Sequence, residues 1–265
     1  MEEAGFPEVD EALAYIQQNL YEPLSLSRLA GYVAYSPYHF NRIFKERVGL
    51  SPLYYVSSLR LQKAKELLLR TDWSVRDIGL EIGQQSLGTF TTRFTEKVGV
   101  SPTVFRNSAY TANLNLRSLQ AFPEWPALPP VTRHHATIEG TVQSEIPFAG
   151  AVLIGLFAKP IPEGLPVYGT MVASPGHFRF ASVKPGTYYI MAASVSWEMQ
   201  AMDVLLPNET LRARPKTPII VERSSVASRR DLVLRAPSLD DPPILVSLPL
   251  LMKNFIQRHF KTGNR

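Results

Sequence analysis

The chain has 265 residues, enough for two ordinary domains, and its 45% hydrophobic and 19% charged residues are typical of a globular protein. It contains no cysteine, which excludes disulfides, thiolate nucleophiles and cysteine-ligated metal sites. No apolar run of about 18 residues occurs. Residues 1–5 are acidic, unlike the start of a secretory signal, so we expect a cytoplasmic protein with no membrane partner.

The formal net charge of +5 favours a polyanionic partner, but the charge is unevenly distributed. Residues 1–108 contain 12 basic and 12 acidic side chains, whereas the remainder contains 16 and 11. The basic excess therefore lies in the C-terminal half. Any assignment of such a partner to the N-terminal half has to rest on sequence pattern.

An internal repeat is the clearest pattern in the sequence. Residues 40–52 recur as residues 90–102, and seven of the thirteen positions are identical. Two further positions, Arg47/Lys97 and Leu50/Val100, change conservatively. The similarity extends upstream to residues 25–30 and 74–79, so the repeated unit is longer than one helix.

Each copy predicts a short helix, a tight turn and a second helix. The candidate boundary residues occur in the same order in both copies: serine N-caps at Ser25 and Ser74, serine N-caps at Ser36 and Ser86, and glycine terminators at Gly49 and Gly99. A longer helix is expected over residues 53–70, between the copies. Two short helices joined by a small turn form a helix-turn-helix motif, which is therefore predicted twice.

The second helix of the first copy, expected over residues 37–48, has two contrasting faces. Its apolar stripe is expected to face the core: Phe40, Ile43, Phe44 and Val48. The opposite face, with Ser36 at the N-cap, carries polar groups: Tyr38, Asn41, Arg42 and Lys45. Arginine pairs bidentately with guanine and asparagine with adenine, each contributing about 1–3 kcal/mol of discrimination. The alternative is a solvated helix face, and the repeat favours contact with DNA.

The corresponding helix of the second copy, residues 87–98, has an outward face without a bidentate side chain. This face includes Leu87, Gly88, Thr91, Thr92 and Thr95, with Arg93 beside the apolar stripe. Hydroxyl and methyl groups suit phosphates and thymine methyls. The alternatives are a structural helix with little base reading, and an Arg93 that packs or pairs with Glu96.

Residues 8–107 resemble the DNA-binding domain of the AraC/XylS family. The resemblance is carried by Leu29-Ala30, Ser36-Pro37-Tyr38-His39-Phe40, Phe44-Lys45, Gly49-Leu50-Ser51-Pro52, residues 60–68, Ser74-Val75, Asp77-Ile78, Phe90, Phe94 and Gly99-Val100-Ser101-Pro102. It implies an all-helical domain whose two recognition helices enter successive major grooves on one face of DNA, about 34 Å apart.

The resemblance also implies which residues contact DNA. By matching positions, Tyr38, Asn41 and Arg42 are the base readers of the first unit. The corresponding positions of the second unit are Leu87, Gly88, Thr91 and Thr92. The chain departs from the family pattern at Gly79, Gln84, Thr92, Thr95 and Phe105, and these departures concern base reading by the second unit.

The C-terminal half has a different character. Residues 108–132 lose periodicity and contain Pro123, Pro126, Pro129 and Pro130, which predicts an extended linker. Short β-branched runs separated by turn signals then predict an antiparallel sandwich over residues 133–237. The predicted strands are residues 137–142, 151–157, 177–183, 187–195, 219–221 and 231–234. This part resembles the transthyretin-like sandwiches, including carboxypeptidase-regulatory-like modules, which bind carbohydrate or act as spacers.

Three features of this half have two interpretations each. The aromatic side chains of Phe178, Tyr188, Tyr189 and Trp197 either stack on a sugar or, as we expect, pack in the core. The basic residues between Arg212 and Arg235 either form a solvated face or contact DNA phosphates or an anionic effector. The amphipathic helix expected over residues 242–262 either packs on its own chain or forms a dimer.

Together these patterns predict a multidomain α and β protein: a helical double helix-turn-helix domain followed by an antiparallel β-sandwich and a terminal helix. We expect a sequence-specific regulator of transcription that binds double-stranded promoter DNA and activates by touching RNA polymerase. A sugar effector and a homodimer are further expectations. The alternatives are a carbohydrate-responsive protein with ligand-dependent DNA affinity and a constitutive architectural DNA-binding factor.

No enzymatic activity is expected, because the sequence has no Gly-rich phosphate loop, His-Glu-x-x-His pair or nucleophile elbow. No cofactor or metal is expected either, since the pair His134-His135 near Glu139 is typical of a solvent-facing strand entrance. The absence of cysteine also excludes the methyl-accepting repair activity found in some proteins with this DNA-binding domain.

Overall fold

The computed structural model describes residues 6–122, 124–130, 136–173, 175–222 and 227–260. Helices occupy the N-terminal part, two β-sheets follow, and a terminal helix completes the described chain. The mixed α and β class is as predicted. None of the described helices is both long and apolar enough to cross a membrane. His134 and His135 lie outside the described residues.

The helical part contains both predicted recognition helices, and their predicted boundaries are confirmed. Its helices are α1 (Pro7–Gln18), α2 (Leu26–Tyr32), α3 (Pro37–Val48), α4 (Pro52–Arg70), α5 (Val75–Glu81), α6 (Leu87–Val98), α7 (Pro102–Arg106) and α8 (Ala109–Gln120). α3 and α6 are the second helices of the two repeat copies, and α4 connects the copies.

Serine caps and left-handed glycines set the ends of both recognition helices. The Ser36 hydroxyl accepts from the His39 amide at 3.3 Å, and the Ser86 hydroxyl accepts from the Thr89 amide at 3.2 Å. Gly49 and Gly99 have φ of +82° and +90°, a conformation that side chains with a Cβ rarely adopt. The repeated Ser and Gly positions therefore fix where each recognition helix begins and ends.

The two helix-turn-helix units bury equivalent aromatic pairs. The Phe44 and Tyr55 rings meet edge to face at 5.7 Å, and so do the Phe94 and Phe105 rings, fifty residues later. In each unit the pair joins the recognition helix to the helix that follows it. Gly79, where the family pattern has alanine, lies against Phe90, and an added Cβ would come within 3.2 Å of the Phe90 ring.

The expected extended linker over residues 108–132 is wrong in its first half, because residues 109–120 form α8. α8 buries Ala112 in the helical core and Leu116 and Leu119 against the C-terminal elements. Exposed Tyr110 precedes these positions and exposed Leu114 lies between them, and these two apolar residues obscure the helical period in the sequence. The helix is identified by what packs on it, which the sequence does not show.

The β part consists of two sheets. Their strands are β1 (Ala136–Ser144), β2 (Gly150–Phe157), β3 (Tyr168–Ala173), β4 (Gly176–Val183), β5 (Gly186–Ser196), β6 (Arg212–Ala213), β7 (Ile219–Val221), β8 (Ala227–Arg229) and β9 (Leu232–Leu234). One sheet has the order β4-β1-β8 with β9 also on β1, and the other has β3-β2-β5-β6 with β7 also on β5. β1 pairs in parallel with β8 and β9, so the arrangement is not wholly antiparallel as expected.

The inner faces of the two sheets pack against each other as a sandwich. Ile138 and Val142 of β1 share one core with Val152 and Ile154 of β2. Phe178 and Tyr188 belong to this core, whereas Tyr189 and Trp197 pack partly buried beneath the helices. The core interpretation of these aromatic residues is therefore confirmed, and the rings of Phe178 and Tyr188 are not available to stack on a sugar.

Helices cover the outer face of the β3-β2-β5-β6 sheet. α10 (Leu248–Phe260) packs beside α8, and its Leu248, Met252 and Phe255 side chains are buried there with Leu153 of β2. The expected helix over residues 242–262 thus begins six residues later than predicted. Its apolar stripe packs on its own chain, so this stripe is not available for dimerisation. A short helix, α9 (Ala201–Leu205), reaches from the β part into the core of the helical part.

Polar side chains on one face of α4 contact the C-terminal part. The Tyr55 hydroxyl donates to the Leu239 carbonyl at 3.2 Å, and the Gln62 amide donates to Asn208 Oδ1 at 2.8 Å. The fully buried Lys65 donates through Nζ to the Ile244 carbonyl at 2.9 Å. These residues recur on one side of the helix, so the helix that connects the two DNA-binding units is also the helix that holds the C-terminal part.

The Lys65 amine makes stability depend on pH. Burial lowers the pKa of Lys65 from 10.5 to about 7. Between these two values the unfolded chain binds more protons than the folded chain, so folding is favoured as pH rises. The free energy of unfolding is therefore highest above pH 10.5, where the amine is neutral in both states. It decreases as the pH falls and reaches its lower limit below the folded-state pKa near 7, where the buried amine is charged.

We therefore predict that Lys65→Met flattens the pH dependence of folding. Between pH 7 and 9 the free energy of unfolding of the unchanged protein should rise more steeply than that of the variant, by up to about 1.4 kcal/mol per pH unit. Urea unfolding at a series of pH values measures the difference. Lys63→Met, at an amine that is 37% exposed and pairs with Glu66, is the control that should leave the slope unchanged. Parallel curves for all three proteins would contradict a buried, neutralised Lys65.

Candidate nucleic-acid interface

The outward face of α3 is exposed and carries cationic and amide groups. Tyr38 is 83% exposed, Arg42 and Lys45 are exposed, and Asn41 is half-buried. Arg42 pairs with Glu46 one turn further along α3 at 3.9 Å, in an exposed ion pair that constrains it weakly. Four groups capable of contacting base edges or phosphates thus lie along one helix face, beginning next to the N-cap Ser36.

The outward face of α6 is exposed but carries little charge. Leu87, Gly88, Thr92 and Arg93 are exposed, and Thr91 is half-buried. No heavy atom lies within 4 Å of the position that a Cβ would occupy on Gly88, so the first turn of α6 leaves open space for a close partner. The outward face of α6 thus presents hydroxyl groups and open space, whereas the outward face of α3 presents an arginine and an amide.

Two side chains of α6 are already engaged within the chain. Arg93 Nη1 donates to Gln84 Oε1 at 3.3 Å, so this contact is with a residue that departs from the family pattern and differs from the Glu96 pairing that was one of the alternatives. The Thr95 hydroxyl donates to the Thr91 carbonyl at 2.8 Å. These contacts leave Thr92 and the first turn, with Leu87 and Gly88, as exposed parts of the outward face of α6.

The basic stretch of the C-terminal half is mostly used in internal contacts. Arg212 is buried and donates to the backbone carbonyls of Thr210, Pro207 and Asn208. Arg229 pairs with Asp231 at 3.1 Å. The interpretation of these residues as a solvated face is therefore wrong for Arg212 and Arg214, whose side chains are buried, whereas Arg229 is exposed; Arg223 lies outside the described residues. The basic excess of the sequence does not translate into one positive surface.

The C-terminal ends of both recognition helices are held by the C-terminal part, which the sequence pattern did not predict. Arg214 Nη1 donates to the Val48 carbonyl at 3.0 Å at the end of α3. The Ser247 amide donates to the Val98 carbonyl at 2.9 Å at the end of α6. Val48 and Val98 are equivalent positions of the repeat, and each carbonyl would otherwise lack a helical partner.

The ion pairs at these ends are equivalent as well. Arg47, in the last turn of α3, pairs with Asp240 at 3.5 Å. Lys97, in the last turn of α6, pairs with Glu163 at 2.5 Å. We call residues 159–165, 214 and 239–250 the brace, because they contact both helix ends. The equivalent basic residues Arg47 and Lys97 of the repeat were the one sequence signal for these ion pairs. Their acidic partners lie far along the chain, so the pattern did not identify them.

Glu163 of the brace contacts three side chains. It accepts from Lys97, from Lys159 at 2.9 Å and from the Tyr54 hydroxyl. Burial by itself raises the pKa of Glu163, but the hydrogen bonds from Lys97, Tyr54 and Lys159 outweigh burial and hold that pKa below its usual value. The carboxylate is therefore charged at neutral pH and ties α4 and α6 to the β part.

Known proteins support the assignment of the helical part. A family model described as a helix-turn-helix domain matches residues 29–108, which include both recognition helices. YobQ of Bacillus subtilis (strain 168), an uncharacterized HTH-type transcriptional regulator, is 34% identical over 100 residues, or 38% of this chain and 42% of YobQ. Residues 29–108 form an AraC-type helix-turn-helix domain.

Two further relatives show how far the similarity reaches. AdaA of Bacillus subtilis (strain 168), named a bifunctional transcriptional activator/DNA repair enzyme, is 36% identical over 98 residues, or 37% of this chain and 46% of AdaA. A crystal structure of an AraC-type transcriptional regulator from Chromobacterium violaceum is 33% identical, covers 38% of this chain and 91% of that chain, and has a TM-score of 0.37. The chain spans less than half the length of YobQ and AdaA.

No metal-binding cluster accompanies the AraC-type domain in the part of the chain that the structure describes. There, no group of three or more histidine, aspartate or glutamate side chains is arranged to hold a metal ion. The faces of α3 and α6 offer hydrogen-bonding groups to a partner, and α3 offers positive charge as well.

We predict that Glu163→Gln destabilises the protein far more than the loss of an exposed acid does. Removing this carboxylate, which is 8% exposed, leaves Lys97 without its ion-pair partner and should lower the free energy of unfolding by about 2–4 kcal/mol. Urea unfolding measures the loss. The control, Glu66→Gln, removes the acid of a more exposed pair on α4 and should cost about 0.5 kcal/mol or less. Equal losses would show that the brace adds no more than a surface ion pair.

Proposed function

We propose that this chain is a sequence-specific regulator of transcription that binds double-stranded DNA through α3 and α6. The AraC-type domain over residues 29–108 is the observation that carries the proposal, because it contains two capped and outwardly exposed recognition helices. In this arrangement the two helices enter successive major grooves on one face of the duplex, about 34 Å apart.

The two recognition helices contribute unequally in this proposal. In the first unit Tyr38, Asn41 and Arg42 contact base edges, while Ser36 and Lys45 contact phosphates. In the second unit the contacts come from the open first turn at Leu87 and Gly88 and from the hydroxyls of Thr91 and Thr92. Arg93 is exposed and contacts Gln84 through one Nη1 donor, so its other N–H groups can reach phosphates.

Activation is the sign of regulation that we propose, by contact between the bound protein and RNA polymerase. The name of AdaA as a transcriptional activator supports this sign. Transcription in vitro from a promoter that the protein binds decides the question. A rise in full-length transcript on addition of protein supports activation, and a fall identifies a repressor.

For the C-terminal part we propose a transthyretin-like sandwich, supported by two sheets packed face to face around a shared core. The buried positions of Phe178 and Tyr188 remove two of the aromatic rings that a carbohydrate site would need. We therefore do not assign a sugar as the effector.

Fluorescence anisotropy of labelled DNA tests the DNA-binding proposal directly. The protein is titrated into a duplex from its own upstream intergenic region and into a scrambled duplex, over a series of salt concentrations. Tighter binding to the intergenic duplex, with affinity falling steeply as salt rises, is the expected result. Equal affinity for both duplexes would overturn sequence-specific binding and favour an architectural role.

We predict that Arg42→Ala weakens specific binding by about 1–3 kcal/mol and leaves binding to the scrambled duplex nearly unchanged. The reason is that a bidentate contact to guanine exists only on the correct sequence. Arg117→Ala is the matched control, because Arg117 is equally exposed but lies on α8, away from both recognition faces. An equal loss on both duplexes would make Arg42 a phosphate contact instead.

A further inference from the structure

A cavity of about 480 Å³ lies at the edge of the sandwich, beside the brace. β3 forms one wall, α10 forms another, and residues 126–129 and 162–167 border its opening. Cavities of this size accommodate a small organic molecule. None of the functions derived above uses this cavity.

The walls of the cavity are mainly apolar, and the apolar surface continues onto its rim. Met171, Phe157 and Phe255 line the interior. At the rim, Leu128, Leu165 and Val167 are 39%, 56% and 53% exposed, although large apolar side chains usually avoid water. Three such residues around one opening form an apolar patch that a ligand would cover.

The charged groups of the cavity are unbalanced. Among the described lining residues there are four arginines, Arg179, Arg212, Arg214 and Arg258, against the single carboxylate of Asp241. Asp241 is already shared between Arg214 and Arg235, and Arg179 pairs with Glu139 at 2.7 Å, so the arginines still outnumber the acids beside them. Arg258 lies at the end of α10 and reaches across to β3, where its Nη1 donates to the Gly169 carbonyl at 3.3 Å. The potential in the cavity therefore favours a negative group.

We propose that this cavity binds a small molecule with an apolar body and a carboxylate, and that its occupation is coupled to DNA binding. The apolar body lies along β3 and α10, and the carboxylate pairs with the arginines, Arg258 first because of its place at the opening. A sugar is the wrong class, because it needs many hydrogen-bond partners and this wall offers mostly aliphatic and aromatic carbon.

The coupling follows from residues that the cavity and the brace share. Arg214 lines the cavity and donates to the Val48 carbonyl at the end of α3. Leu165 lines the cavity and lies next to Gly99 at the end of α6, within 3.9 Å of the position of an added Cβ. Ile244 lines the cavity and accepts from Lys65 of α4. A ligand that shifts these residues changes how both recognition helices are held.

Calorimetry with decanoate as the probe tests the site on the full chain without DNA. Decanol has the same apolar body without the charge, and maltose represents the carbohydrate class. Saturable binding of decanoate, at least about tenfold tighter than binding of decanol, is the expected result. No saturable binding of decanoate overturns the site, equal binding of decanoate and decanol overturns the role of the carboxylate, and tighter binding of maltose overturns the ligand class.

A charge-reversal pair locates the binding to this cavity. Arg258→Glu should weaken decanoate binding about tenfold or more, because it places a negative charge at the opening. Lys253→Glu makes the same charge change at an exposed position of α10 that is not part of the cavity wall, and it should leave the affinity nearly unchanged. Thermal unfolding of each variant shows that it is folded. Equal effects of the two substitutions would place the binding elsewhere.

The coupling, unlike the binding itself, rests on the proposed function, so it is measured separately. Anisotropy with the intergenic duplex is repeated with and without saturating decanoate. The ratio of the two DNA affinities should equal the ratio of the decanoate affinities measured with and without DNA, as linkage requires. Decanoate binding with unchanged DNA affinity overturns the coupling and leaves the site. Failure to bind the duplex under any condition contradicts the proposed function and leaves the calorimetric result intact.

Discussion

The contact between the C-terminal ends of α3 and α6 and the brace is the constraint on which the arrangement of this molecule depends. Helix ends leave backbone carbonyls without partners, and here the carbonyls of Val48 and Val98 are satisfied by groups from the C-terminal part. The basic residues one position earlier pair with acids of the same part. Both recognition helices are thus attached at their C-terminal ends to one common body.

α4 also contacts the C-terminal part, in addition to connecting the two helix-turn-helix units. As the connection between the two units it has to pack against both, and its remaining face contacts the C-terminal part through Tyr55, Gln62 and Lys65. Burying a lysine is costly unless the amine is neutral or hydrogen-bonded, and here burial lowers its pKa to about 7 while the Ile244 carbonyl accepts from it. The contact between the two parts therefore depends on specific hydrogen bonds as well as on apolar packing.

The two halves of the repeat have diverged on their outer faces and remained alike inside. The aromatic pairs, the serine caps and the left-handed glycines are equivalent in both units, because each recognition helix packs against its following helix in the same way. The outer faces meet different partners and differ accordingly. α3 presents an arginine and an amide, whereas α6 presents threonines, a glycine and an arginine that contacts Gln84. The asymmetry predicts that most of the base discrimination comes from the first unit.

The sequence by itself determined the two recognition helices: the repeat, the N-caps and the glycine terminators placed α3 and α6 to the residue, because these signals act within one turn of helix. It also placed four of the longer strands, since alternation and turn residues are local. It did not reveal β3, which carries a glycine and lies at a sheet edge, or α8, whose buried face is recognisable only beside α10 and the β sheet. Only the tertiary structure decided the brace, because Arg47 and Lys97 find their partners 193 and 66 residues further along the chain. Pairings at such separations depend on how the two parts dock, and no local pattern encodes that docking.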